Sequence, residues 1–98
     1  MNVVYLAAYH FDGAAEDLLP AYDKLFAAFP PDRILLHTCV VRDGGITVFD
    51  SCPDEATFTA FSGDPGFAAA IAGAGLPRAR IEPLGEVHAV RGTRTVAP

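Results

Sequence analysis

The chain has 98 residues, which is enough for one domain around one hydrophobic core and too short for two. Hydrophobic types make up 51% of the residues and charged types 19%, a balance that excludes intrinsic disorder and is richer in apolar residues than a lone small domain needs. The net charge is −5 and Lys and Arg form no cluster, so the composition argues against binding to nucleic acid or to an anionic membrane.

The sequence shows neither a targeting segment nor a cysteine pattern typical of disulfide-rich or metal-binding proteins. No apolar run approaches the roughly 20 residues of a spanning helix, and the start of the chain lacks the pattern of a secretory peptide. We therefore expect a cytoplasmic protein. The two cysteines, Cys39 and Cys52, are too few for a disulfide scaffold and lack metal-type spacing, so we expect both to be reduced.

The first part of the chain predicts a strand followed by a helix. Residues 3 to 11 are rich in β-branched and aromatic types and stop at the turn signal Asp12-Gly13. From Ala14 to Phe29 apolar residues recur at spacings of three and four, as on an amphipathic helix. Pro20 either lies in the first turn, with Asp17 as the cap, or kinks a helix that began earlier.

A hairpin is predicted next. Residues 33 to 42 and 45 to 51 are strand-like and flank Asp43-Gly44-Gly45, the strongest short-range hairpin signal in the chain. Two antiparallel neighbouring strands follow from this pattern.

The rest of the chain predicts a broken helix and a last strand. The helix starts with Pro53 at its first position, stops at Gly63, resumes after Asp64-Pro65 and ends between Gly73 and Gly75. Residues 79 to 90 form the last strand, in which Pro83 and Gly85 suit an edge position or a bulge. We expect a single domain over residues 1 to 90 and a polar tail over residues 91 to 98.

The element order β-α-β-β-α-β predicts an α+β, ferredoxin-like fold, with a four-stranded antiparallel sheet and both helices on one face. Alternation along the second strand predicts two sets of side chains, one on each face: Leu35, His37, Cys39 and Val41, and Ile34, Leu36, Thr38 and Val40. Both faces are largely apolar, and helices can cover only one of them. We therefore expect a homodimer that packs sheet against sheet.

The segment LLHTCVVRDGGITVFDSCPDEATFTAF, together with the later AGLP and EVHAV, resembles the dimeric α/β-barrel superfamily, in particular the small proteins near the antibiotic-biosynthesis monooxygenases and polyketide cyclases. The resemblance implies a ligand pocket between the sheet and the helices. It also implies one of several activities: cofactor-independent oxidation of polycyclic aromatics, polyketide cyclisation, haem degradation or isomerisation of small metabolites.

Two departures from that superfamily narrow the expectation. The chain has no Trp, and Cys52 stands where many relatives carry Trp at the end of the third strand, which weakens a Trp-dependent oxygenase. The basic and aromatic elements that bind haem in the haem-degrading relatives are not visible either. We expect no cofactor.

His37 and Asp50 are the strongest candidates for catalysis. A two-residue Asp43-Gly44 loop places them directly opposite each other, and a Gly44-Gly45 loop makes them diagonal neighbours on the same face. A carboxylate beside an imidazole fixes its tautomer and prepares the other ring nitrogen for proton transfer. The pair is equally explained as a buried polar pair that satisfies itself.

Further candidates surround this pair. His88 resembles the closing-strand histidine of small superfamily members and is the third catalytic candidate. Substrate-binding candidates are a histidine next to the first strand's end and four aromatic residues: His10, Tyr9, Tyr22, Phe26 and Phe58. A histidine at such a position is more often simply exposed to solvent, and packing alone explains the aromatic residues. The three histidines with Asp50 are suitable metal ligands by type, although no short spacing supports a metal site.

Together these features predict a cofactor-independent enzyme that acts on a small aromatic or polyketide-like metabolite by His-based acid–base catalysis. Cyclisation, isomerisation and oxygenation are the expected reaction types. Two alternatives remain open at this point: a non-catalytic small-ligand-binding or accessory homodimer, and a metal-dependent site built from His and Asp.

Overall fold

The computed structural model describes residues 4–28 and 36–92. The elements in chain order are β1 (Tyr5–Asp12), α1 (Ala15–Ala28), β2 (His37–Arg42), β3 (Gly45–Cys52), α2 (Glu55–Ser62), α3 (Pro65–Ala74) and β4 (Arg80–Glu86). The strands form one sheet in the order β2-β3-β1-β4, and all neighbours are antiparallel. The predicted α+β, ferredoxin-like fold is confirmed.

The core lies between the helices and one face of the sheet. Alternate residues of β1 face the helices, because successive side chains of a strand point to opposite sides. One buried cluster joins them to side chains from all three helices: Tyr5, Ala7, Tyr9, Phe11, Leu18, Tyr22, Ile46, Val48, Phe58, Ile71 and Leu76. The other face of the sheet carries no helix in the described part of the chain and is called the open face below.

The hairpin between β2 and β3 has the predicted two-residue loop. Arg42 pairs with Gly45, so Asp43 and Gly44 form the turn. Gly44 has φ +82°, a left-handed conformation that glycine adopts without strain. A Cβ at Gly45 would collide with the backbone oxygen of Phe11 on β1, so only glycine allows this close approach. The turn therefore fixes the register of the hairpin.

The helix starts decide one open alternative and correct one prediction. Helix α1 begins at Ala15, so the second arrangement predicted for Pro20 is the one found: Pro20 lies inside a helix that began earlier, and Asp17 is not its cap. Helix α2 begins at Glu55 and not at Pro53, because Asp54 is the cap and its carboxylate accepts a hydrogen bond of 2.7 Å from the backbone N–H of Thr57.

The last strand is shorter than predicted. It ends at Glu86, and the backbone bond from the Val87 N–H to the Val4 oxygen marks its final contact with the chain beside β1. The register between β1 and β4 shifts between Leu6 and Ala7, which places the predicted irregularity next to Pro83 and Gly85.

Several predicted boundaries fall on other parts of the chain. The end of the first helix at Phe29, the start of the second strand at residue 33 and most of the tail after residue 92 lie outside the described residues. Within the described part, no helix has the length and apolar character needed to cross a membrane.

Candidate active site

His37 and Asp50 are partners across the β2–β3 hairpin, as the turn predicted. The imidazole Nδ1 lies 3.4 Å from Asp50 Oδ1, and the side chains are only 11% and 15% exposed. The same carboxylate oxygen accepts a hydrogen bond of 3.1 Å from the backbone N–H of Ser51, which holds it in place. The structure confirms the predicted placement of His37 opposite Asp50. A catalytic role for the pair stays a prediction.

Tyr22 of α1 completes this pair. Its hydroxyl lies 2.7 Å from His37 Nε2, and the two rings stack at 5.9 Å between centroids with an interplanar angle of 16°. Because the Asp50 carboxylate can only accept, it selects the tautomer with hydrogen on Nδ1, and Tyr22 then donates to Nε2. The second ring nitrogen, expected to face a substrate, is thus bonded to a phenol.

An apolar cavity lies next to the three hydrogen-bonded residues Asp50, His37 and Tyr22. It is lined by His37, Asp50 and, among others, the side chains Tyr9, Tyr22, Phe26, Phe67, Ile71 and Leu76. Phe26 also packs against the His37 ring at 5.4 Å between centroids. The volume of about 30 Å³ holds about two water molecules and is far below the roughly 300 Å³ at which ligand pockets begin.

The two tyrosines of the cavity are held in their neutral form. Burial raises the pKa of Tyr22 to about 12, with smaller contributions from the charges of Cys39, Asp23 and Asp50. Burial raises the pKa of the Tyr9 phenol far above its ordinary value, with further contributions from Cys52 and Asp50. Both phenols therefore carry their protons at neutral pH and can donate hydrogen bonds.

The Tyr9 hydroxyl differs from that of Tyr22, because no described residue is its hydrogen-bond partner. The residue is 3% exposed, and its buried oxygen forms no hydrogen bond in the described part of the protein. Buried polar groups are nearly always satisfied, and exceptions are concentrated where a ligand or a functional role accounts for them. Tyr9 therefore offers an unused donor at the wall of the cavity.

Three predicted site residues lie away from this cavity. His10 is on the open face, where its ring nitrogens lie 2.9 Å from Thr47 Oγ1 and 2.9 Å from Glu82 Oε1. His88 follows the end of β4 and is exposed. Phe58 is buried against Tyr5, with 5.3 Å between ring centroids, and does not line the cavity.

The positions of the histidines argue against the alternative of a metal site built from His and Asp. His10 and His37 lie on opposite faces of the sheet, so they cannot share one ion with Asp50. Among residues 4–28 and 36–92, no three His, Cys, Asp or Glu side chains are placed as a ligand set. Cys39 faces Val48 and both thiols are free, as predicted, and burial raises the pKa of each thiol.

The sequence analysis missed the contribution of α3 to the cavity. Phe67 and Ile71 lie four residues apart on a helix that otherwise contains mainly alanine and glycine. This spacing places both on one face, and that pattern was the available signal. The cavity wall is completed by Leu76, just after the helix.

No protein-family model and no curated protein matches the sequence. Among solved structures, the chain is similar to SnoaB, described as a cofactor-independent oxygenase from Streptomyces nogalater, in the crystal structure of an asparagine-to-alanine variant. The match has a TM-score of 0.51 and 17% sequence identity, and it covers 94% of this chain and 95% of that chain. The two proteins therefore share a fold over nearly their whole lengths.

Proposed function

We propose that this protein is a cofactor-independent enzyme that removes a proton from a carbonyl-bearing aromatic or polyketide-like metabolite. The observation that carries the proposal is the hydrogen-bonded chain from Asp50 through His37 to Tyr22 beside an apolar cavity. The shared fold with an oxygenase described as cofactor-independent supports the same class of chemistry.

The hydrogen bonds that link Tyr22, His37 and Asp50 set the direction in which the proton moves. The Tyr22 oxygen accepts the acidic C–H proton of the substrate while its own proton passes over 2.7 Å to His37 Nε2. The imidazolium that forms faces the Asp50 carboxylate, whose charge stabilises it. The phenol is thus regenerated, and the proton gained rests on His37.

Tyr9 is the group suited to the other product of this step. Loss of the proton leaves an enolate with negative charge on the former carbonyl oxygen. A neutral phenol in an apolar wall stabilises such an oxygen by a hydrogen bond that strengthens as the charge develops.

The enolate is the common intermediate of all three expected reactions. Reprotonation at another carbon gives isomerisation, attack on a second carbonyl of the same molecule gives cyclisation, and reaction with O₂ gives oxygenation. Which of these three reactions follows depends on the substrate that enters the cavity.

We also propose that the protein acts as a homodimer through the open face. Leu6, Ala8, Val40 and Phe49 give that face an apolar character, and Val40 is 42% exposed. A second copy is the simplest cover for this sheet face, on which no described helix packs, since the same surface is then used on both subunits.

Deuterium exchange into an aromatic ketone tests the catalytic proposal without knowledge of the natural substrate. 2-Tetralone, with acidic C–H bonds beside its carbonyl, and related bicyclic ketones are incubated with the protein in D₂O and followed by NMR. We expect exchange well above the buffer rate, and a decrease of about 10²- to 10⁴-fold in His37→Ala. Asp50→Asn should decrease it in the same way, because the imidazolium loses its counter-charge.

His88→Ala is the matched control, since it removes an exposed histidine that does not line the cavity, and it should exchange like the wild type. Thermal melts of the same variants distinguish the non-catalytic alternative. A structural pair predicts a loss of about 1 to 3 kcal/mol in stability with exchange unchanged in the folded protein. That result, or no exchange by the wild type, would overturn the proposal.

A further inference from the structure

A second, larger concavity is lined by residues of α3, of β4 and of the segment between them, and is called the groove below. It has a volume of about 590 Å³, within the range of about 300 to 1,000 Å³ typical of ligand sites. Phe67, Ile71 and Leu76 line both this groove and the inner cavity, so these three side chains form the wall between the two spaces. Ala68, Ala72 and Ile81 supply further apolar lining.

The wall between groove and cavity is thin. Apart from Pro65, Phe67 and Ile71, helix α3 consists of alanine and glycine, and Ile71 is its one buried residue. Phe67 is half-buried and packs against Phe61 and Tyr9, with 4.3 Å and 5.6 Å between ring centroids. Phe67 is therefore the least buried of the three side chains that separate the two spaces, since Ile71 and Leu76 are both 5% exposed.

Arg78 places a positive charge in the lining of the groove. It is exposed, and it forms no hydrogen bond or ion pair within the described part of the chain. The neighbouring cation Arg80 differs in this respect, because it donates two hydrogen bonds of 2.9 Å to Asp12. An unpaired guanidinium beside an apolar wall is suited to a ligand with a planar apolar body and one carboxylate.

We propose that the groove is the outer half of the binding site and takes an aromatic carboxylate. The carboxylate pairs with Arg78, the ring system lies against Ile81 and the alanines of α3, and the far end of the ligand passes Phe67 into the cavity. The inference rests on the proposed function for the reaction at that far end. It explains how a cavity of about 30 Å³ serves a ligand of several rings.

Calorimetric titration with a pair of probes tests the charge. 2-Naphthoate carries a carboxylate, and 2-naphthamide has nearly the same shape without the charge. We expect the wild type to bind the naphthoate more tightly, and Arg78→Gln to lower naphthoate affinity about 3- to 10-fold, as for a partly exposed ion pair, with no change for the amide. Arg91→Gln is the control, since Arg91 is also exposed but lies outside the groove, and it should leave both affinities unchanged.

A second variant tests the location independently of charge. Ala72→Phe fills the groove from an exposed position of α3 and should weaken both probes. Equal affinity for the two probes, or no effect of Arg78→Gln, would overturn the proposal. Failure of both probes to bind, together with a lower association state of Ala72→Phe, would instead show that a second copy covers the groove, and this also overturns it.

The readout is binding, so it separates this inference from the catalytic one. His37→Ala should still bind 2-naphthoate through the groove even where it no longer exchanges deuterium. If naphthoate affinity depends on Arg78 but the protein catalyses no deuterium exchange, the proposed function is refuted and the binding site in the groove is not. If the protein catalyses exchange but naphthoate affinity does not depend on Arg78, only the binding site in the groove is refuted.

Discussion

The surroundings of Tyr9 define a specific role for its hydroxyl group. It is buried in an apolar wall and has no hydrogen-bond partner among residues 4–28 and 36–92. A buried donor without a partner lowers the stability of the protein, and a ligand that accepts its hydrogen bond removes this cost. Its ring is held by an edge-to-face contact with Phe67. A hydroxyl in this position discriminates for ligands that carry an oxygen at the matching place.

Tyr9→Phe should therefore affect function and stability in opposite ways. We expect deuterium exchange into 2-tetralone to fall about 10²- to 10³-fold, the effect of losing one donor to a developing oxyanion. The melting temperature should stay the same or rise, because an unsatisfied buried group is removed. Exchange rates and thermal melts of the same preparation give both quantities.

Tyr5→Phe is the control for this variant. Tyr5 lies on the same face of β1 and is buried against Phe58, but it does not line the cavity. The control should keep the wild-type exchange rate. A Tyr9→Phe variant with normal exchange and a lower melting temperature would assign the phenol to packing alone.

At the scale of elements, local signals in the sequence predicted the hairpin and its consequences. Asp43-Gly44 selects a two-residue loop, the loop sets the register, and the register places His37 opposite Asp50. The hydrogen bond from Tyr22 could not be obtained in this way. The pattern placed Tyr22 on the inner stripe of α1, but the distance between a helix and a strand depends on packing that no local signal encodes.

The errors at element boundaries have similar causes. The sequence left open whether Asp17 caps α1, and the helix starts before it, since the Ala14 oxygen already accepts backbone hydrogen bonds from Asp17 and Leu18. The last strand ends at Glu86, and in the described residues this end lies opposite Tyr5, the first residue of β1. Sequence patterns describe what a segment prefers, whereas these ends depend on what the neighbouring segment offers.

Pro20 inside α1 gives a prediction at this scale. Proline has no N–H to donate to the preceding turn, and its ring crowds the carbonyl there. Pro20→Ala, at an exposed position, should raise the free energy of unfolding by about 1 to 3 kcal/mol. Urea denaturation measures the change. Pro53→Ala lies outside the helices and should bring no such gain, and an equal gain in both variants would contradict the argument.

The whole molecule presents two sheet faces with different chemistry. The helix-covered face carries the cavity, whereas the open face combines an apolar part with a polar end. At that end Asp12 accepts hydrogen bonds of 2.9 Å from Arg42 and from Arg80, and these bonds hold the pKa of the Asp12 carboxyl well below its usual value. Pairing within the chain leaves these charges largely satisfied, so the polar end does not oppose the packing of a second sheet.

Two neighbouring valines test the homodimer. Val40 is on the open face, and Val41 is on the helix-covered side of the same edge strand, where it is 56% exposed. We expect a dimer at micromolar concentration with about 1,600 Å² or more buried in total. Val40→Glu should dissociate it, because a charge would be buried without a partner, whereas Val41→Glu should leave it intact. Light scattering that reports a monomeric wild type, or equal effects of the two variants, would contradict the sheet-to-sheet arrangement.

The central claim is that Tyr22 and His37 act as one proton-transfer unit, and a double-mutant cycle tests it most directly. Deuterium exchange into 2-tetralone is measured for Tyr22→Phe, His37→Ala and the double variant, each checked for folding and association state. If the phenol acts only through the imidazole, the double variant should exchange no more slowly than His37→Ala alone. Two reductions that multiply in the double variant would mean that the residues act independently, and the account of the site would be wrong.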